Sequence, residues 1–157
     1  MQYNRQNVVE YAKKWAFGRN PEYYNFDSLG GDCTNFISQC LFAGAGVMNF
    51  TKDVGWYYRS VANRAAAWTG VEFLHRFLTR NNGRGPYAAS FGDVESAEIG
   101  DVVQLNFNGY NFGHSLIVTA VYPEILVATH TIDAFDRSLS SYNYERHRLL
   151  KIEGVRA

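Results

Sequence analysis

The sequence predicts an α+β domain: helices in the N-terminal half, one of them opening on a cysteine, packed against a C-terminal antiparallel sheet. Two features carry that expectation. In the first half of the chain apolar residues recur at helical spacing, whereas from Ile99 onward they gather in short runs rich in β-branched residues and bounded by Gly, Asn and Pro. Connections such as Tyr122-Pro123-Glu124 are too short for a parallel crossover, so the strands are expected to form a meander.

The helices come first. Asn4 can cap one whose apolar stripe is Val8, Ala12, Trp15 and Ala16, and Gly18-Arg19-Asn20-Pro21 stops it. A tyrosine-rich loop over 21–31 ends in Gly30-Gly31. The second helix begins at Asp32 or Cys33, carries Phe36, Ile37, Cys40 and Leu41 on one face, and ends at Gly44 and Gly46. Residues 49–67, with Trp56, Tyr57 and Tyr58, read as loop with short helical turns. A third helix over 69–79 turns Val71, Leu74, Phe77 and Leu78 inward and closes at Asn81-Asn82-Gly83. Strands are expected over 101–107, 115–122, 125–131 and 148–155.

At 157 residues the chain is one domain, spanning 1–157. Its 46% apolar and 19% charged residues exclude a disordered polymer. Fifteen basic residues balance fifteen acidic ones, without the basic surplus of a nucleic-acid binder, so no nucleic-acid partner is expected. The apolar run over 116–121 is interrupted by Thr119 and falls far short of a membrane span. No apolar stretch follows the opening Met1-Gln2-Tyr3-Asn4-Arg5, so a cytoplasmic chain is expected, or a secreted one whose leader has been removed. Two cysteines exclude a disulfide scaffold.

Cys33 is the position that points to chemistry. It follows Gly-Gly-Asp and opens a helix, where free N–H groups and the positive helix end lower a thiol pKa and can bind an oxyanion. Cys40 lies seven residues on, about 10.5 Å along the axis, too far for a disulfide, and belongs to the apolar stripe. Among the four histidines, His75 is expected on the polar side of its helix and His147 in a charged surface run. His114 stands at the mouth of a strand, a suitable place for a general base, and His130 ends the next strand. With a turn near Pro123, residue 114 lies opposite 131 to 133. His130 and Asp133 are then the groups able to orient the His114 imidazole.

The run Gly-Gly-Asp-Cys33-Thr-Asn-Phe-Ile-Ser-Gln-Cys-Leu resembles the cysteine helix of the putative amidase family related to NlpC/P60 and papain-like cysteine peptidases. Tyr3-Asn4-Arg5, Asn20-Pro21-Glu22-Tyr23, Ala67-Trp68-Thr69-Gly70-Val71, Gly100-Asp101-Val102, Gly113-His114-Ser115 and Thr129-His130-Thr131 join it in order. The resemblance implies a cofactor-free thiol hydrolase of amide bonds acting on peptides or cell-wall peptide fragments. It assigns Cys33 as nucleophile, His114 as base and His130 as third residue, with Asp133 as the alternative. It also implies an oxyanion-binding tyrosine upstream of the cysteine, for which Tyr23 matches best and Tyr24 competes.

Other readings remain open at this level. Cys33, His114, His130 and Asp133 could form a metal site, although no local ligand pair supports one and none is expected. The same fold could serve as a peptide- or glycopeptide-binding module without turnover. Asp32 could orient a substrate amine, but capping its helix is enough to explain it. Trp56, Tyr57, Tyr58 and Trp68 could line a groove, with core packing the plainer account.

Overall fold

A computed structural model describes residues 2–157. The N-terminal helix α1 (Arg5–Trp15) is capped as its sequence demands, the Asn7 N–H donating to Asn4 Oδ1 at 3.0 Å. Helix α2 (Cys33–Ala45) crosses it closely at Gly44, where a Cβ would lie 2.4 Å from a Val8 methyl and 2.9 Å from the Asn4 carbonyl. Gly44 is therefore an inner residue of α2 and not its end. Gly46, left-handed at φ 74°, makes the cap.

The stretch expected as loop is partly regular. Strands β1 (Tyr58–Ser60) and β2 (Asn63–Arg64) form a small hairpin, and α3 (Ala66–Thr69) follows as a single turn. Helix α4 (Val71–Arg80) starts two residues later than its apolar pattern suggested, because Gly70 is extended and separates it from α3. His75 on α4 is not simply solvated. Its Nε2 lies 3.1 Å from Ser90 Oγ, and burial lowers its pKa, helped by Arg148.

Six strands build the main sheet: β3 (Gly85–Phe91), β4 (Val102–Asn106), β5 (His114–Ala120), β6 (Leu126–Thr129), β7 (Ala134–Ser138) and β8 (Arg146–Arg156). All its pairings are antiparallel, in the order β3-β8-β4-β5-β6-β7. The meander holds from β4 to β7. It fails at β8, which inserts between β3 and β4. Strands β3 and β7 were invisible to a search for apolar runs, since both lie at sheet edges and carry Ser, Gly, Arg and Asp.

Both faces of the central strands are covered, which is why they read as continuous apolar runs. Val102, Ile117, Ala128 and Leu150 pack beneath the helices with Phe36, Ile37, Cys40, Trp56 and Trp68. Val103, Leu105, Leu116, Val118 and Leu149 fill the other side under Leu139 and Tyr142. Trp56 and Trp68 are wholly enclosed, so core packing accounts for both. The chain start is tied to the sheet through the buried Asp101, which accepts from Arg5 Nη1 at 2.7 Å and from the Ile152 N–H at 2.9 Å.

Candidate active site around Cys33

Cys33 is the first residue of α2, and the loop before it is shaped to deliver it there. Gly30 and Gly31 adopt φ 87° and 97°, a region that side chains disfavour. The Gly31 N–H donates to the Phe26 carbonyl, closing the loop over the helix start. Asp32 is fully buried, but it does not cap α2 with its side chain, contrary to the simple expectation. Its Oδ1 instead accepts from the Phe26 N–H at 2.8 Å and from Asn35 Nδ2 at 2.9 Å.

The other carboxylate oxygen of Asp32 meets His130. Nδ1 of His130 lies 2.5 Å from Asp32 Oδ2, and Nε2 lies 2.9 Å from the Trp15 carbonyl. Both ring nitrogens thus face oxygen atoms. The ring is sealed by Phe36, stacked at 3.9 Å between centroids. His130 is therefore committed to the start of α2 and makes no hydrogen bond to His114, so it does not hold the base as the strand arithmetic suggested. Asp133 does not hold it either: both its oxygens accept from Arg19 at 3.0 Å. With His130 and Asp133 so engaged, Cys33, His114, His130 and Asp133 do not converge. Among the described residues no His/Cys/Asp/Glu group could hold a metal ion.

His114 opens β5, whose register sets Ile117 against Ala128, so its continuation places His114 opposite Thr131. The group nearest its ring in hydrogen-bonding terms is Thr129, with Oγ1 3.5 Å from Nε2. Phe107 and Tyr142 flank the imidazole at 6.2 and 6.3 Å between centroids. Burial, reinforced by the Arg137 guanidinium, pulls its pKa down to about 4. Both causes disfavour the protonated ring, so the shift favours an uncharged imidazole at neutral pH.

The thiol is only 9% exposed, and burial pushes its pKa up, against the lowering that the helix N-terminus was expected to give. Backbone groups of Ser115 and Thr34 and the Thr34 hydroxyl pull the other way, and Asp32 adds a small upward push. Thr34 Oγ1 lies 3.0 Å from Ser115 Oγ, so the first turn of α2 meets the start of β5 beside the cysteine. Ser115 adjoins His114 in the chain, which brings the mouth of β5 to the cysteine. Among the described residues no hydrogen bond joins Cys33 to His114, and the sulfur contacts Thr34 Oγ1 at 3.7 Å. Both shifts favour the uncharged forms of the two groups.

Two residues missed in the sequence hold these elements together. Thr34 Oγ1 and Ser115 Oγ lie 3.0 Å apart, linking the first turn of α2 to β5, and Gln104 Nε2 approaches the same Ser115 oxygen at 3.3 Å. Their signal was present, since each is a small polar residue directly after a candidate catalytic residue. Asn35 adds a second clamp, its Nδ2 donating to the Tyr24 carbonyl and its Oδ1 accepting from Trp68 Nε1, both at 3.0 Å. Tyr24 is exposed and tied by its backbone, its N–H donating to Tyr58 Oη at 2.8 Å. Tyr23 stacks on Trp68 at 6.0 Å, and burial pushes its phenol up to about 12. Neither tyrosine hydroxyl is hydrogen-bonded to Cys33.

Helices laid over an antiparallel sheet, with a cysteine at a helix start near the first residues of a strand, define an α+β domain. The chain belongs to the family described as "Putative amidase domain", whose model matches residues 2–152. It is 36% identical over 122 residues to the uncharacterized protein YhbB of Bacillus subtilis (strain 168). That alignment takes in 76% of this chain and 38% of the relative, so the chain spans well under half of that protein's length. No solved structure matches it.

Proposed function

We propose that this domain hydrolyses amide bonds through Cys33, with His114 as its base, on peptides or cell-wall peptide fragments, as in papain-like and NlpC/P60 peptidases. Membership of an amidase family supports the bond type. The observation that carries the cysteine is its place at the head of α2, whose Thr34 hydroxyl lies 3.0 Å from Ser115 Oγ on β5, the residue next to His114. The thiol proton passes to the neutral His114 as sulfur attacks the carbonyl carbon. The same proton then goes to the leaving amine, and water resolves the thioester. His130 and Asp32 serve by fixing the helix start, and Thr129 is the side chain placed to steady His114.

The raised thiol pKa favours a second reading, a peptide- or glycopeptide-binding module that has kept the fold without turnover. The test is a screen of peptides and wall-peptide fragments, followed by mass spectrometry for cleavage. The hydrolase reading expects Cys33→Ser and His114→Gln each to lower kcat by about 100-fold or more without unfolding the protein. Binding of a fragment that is never cut, with affinity indifferent to Cys33→Ser, would establish the binding module instead.

A further inference from the structure

A cleft of about 340 Å³ lies between α4 and the loop leading to β1, with Ala66 and Ala67 of α3 in its wall. None of Asp32, Cys33, Thr34, His114, Ser115, Thr129 and His130 lines it, so this space is separate from the candidate active site. Its walls are fixed. The Asn49 and Trp56 backbones pair in both directions at 2.7–2.8 Å, and the Gly55 N–H donates to the Thr51 carbonyl at 2.9 Å. Gly55 fits only because it lacks a Cβ, which would come within 2.3 Å of the Asn49 carbonyl oxygen. Asn81 ties the far wall, its Nδ2 donating to the Arg84 and Pro86 carbonyls at 3.1 and 2.9 Å.

The lining is two-sided in chemistry. Phe77 forms the floor, and Phe73 and Val54 stand at the sides, 52% and 69% exposed although both are large and apolar. Arg76 and Arg80, one helical turn apart on α4, bring guanidinium groups to the rim, and Arg76 lies 5.5 Å over the Phe73 ring. Among the described residues neither arginine forms an ion pair with a carboxylate. Asp53 is the one acid in the lining, so the rim carries a net positive charge. A preformed cleft with an apolar floor and unpaired guanidinium groups suits a ligand that offers both parts at once.

We propose that this cleft is a binding site for small amphipathic carboxylates, with an aromatic or branched apolar body on Phe73, Phe77 and Val54 and the carboxylate against Arg76 and Arg80. The site does not depend on the hydrolase reading. Isothermal titration calorimetry on the full chain tests it with 3-phenylpropionate, 3-phenylpropanol and inorganic phosphate, none of which contains an amide. The expected result is a dissociation constant of about 1 mM or tighter for 3-phenylpropionate, with the alcohol and phosphate each about tenfold weaker or more. Arg76→Gln combined with Arg80→Gln should weaken the acid about tenfold, and Phe73→Ala should also weaken it, whereas Cys33→Ser should change nothing. No measurable binding at 10-fold that concentration, equal binding of the alcohol or of phosphate, or indifference to the arginine pair or to Phe73 would each overturn the assignment. These arginines are exposed, and an unchanged melting temperature of the double variant separates lost binding from lost fold.

Discussion

Replacing Asp32 with asparagine would remove the negative charge from a contact that is closed to solvent on both sides. Both side chains of the Asp32–His130 pair are 1% exposed, and their atoms approach to 2.5 Å. The asparagine could keep Oδ1 on the Phe26 N–H and Asn35 Nδ2, but its amide nitrogen would then face the His130 Nδ1–H and lie near Arg19 Nε, now 3.6 Å from Oδ2. The amide would put a donor where the carboxylate accepted, so beneath Phe36 the ring keeps that contact only by moving its proton from Nδ1 to Nε2 and giving up the interaction with a carboxylate. Breaking one partner of a buried pair costs about 3–5 kcal/mol. For a domain of this size each kcal/mol lowers Tm by about 2–4 °C, so the expected fall is about 6–20 °C. Urea unfolding and thermal melts at pH 7 measure it. Asp32→Asn combined with His130→Gln should cost less than the two single changes added together, because the two side chains share one contact that either change already disrupts. A loss below about 1 kcal/mol for Asp32→Asn, or strict additivity of the two, would refute the view that this pair fixes the start of α2.

Four further outcomes are expected. Since the His114 pKa falls to about 4 in the folded protein from 6.5, the unfolded chain binds a proton between those values that the native state lacks; stability is whole above pH 6.5 and falls as pH drops through the window, by at most about 3 kcal/mol. His114→Gln should erase that slope, and identical unfolding free energies against pH for the two proteins would contradict it. Arg137→Gln should raise the His114 pKa while leaving burial as the larger cause, a change read from the imidazole resonances in an NMR titration, where an unmoved midpoint would remove Arg137 from the account. Alkylation of Cys33 by iodoacetamide, followed by site-resolved mass spectrometry, should show its midpoint above that of a free thiol, and reactivity persisting below pH 7 would show that the thiolate is favoured after all. Gly44→Ala should destabilise by about 1–3 kcal/mol, since α1 and α2 must part to admit the methyl group, and a neutral result in a thermal melt would deny the close crossing.

Local grammar was legible where one residue type does one job. Asn4 as a cap, Gly46 as a left-handed stop and the strand spans around the turn at Pro123 all follow from nearest-neighbour chemistry. The place of Cys33 at a helix start followed too, because Gly-Gly-Asp before an apolar stripe has few other uses. The roles of His130 and Asp32 did not follow. Strand arithmetic brings His130 near His114 along the chain, but successive residues point to opposite faces, and His130 turns to the helix side while Thr129 turns to the base. The thiol pKa was misjudged for a related reason: a helix N-terminus is visible in sequence, whereas the depth at which the sulfur is buried depends on how α2 meets β5. Edge strands β3 and β7 escaped notice because hydrogen bonding to a neighbour defines them more than apolar content does.

The position of β8 bears on how the domain comes into being. Strand β3 pairs with β8 alone, and β4 reaches β3 only through it. Until the segment Arg146–Arg156 has emerged from the ribosome, β3 has no partner and β4 presents a bare edge, although the helices α1 to α4 and the seven strands β1 to β7 have already been synthesised. The Arg5 side chain likewise waits for the Ile152 carbonyl, which accepts from its Nη2 at 2.7 Å. Closure is thus deferred to the last strand of the domain, and the nascent chain must hold an unfinished sheet open without pairing it to a neighbour's.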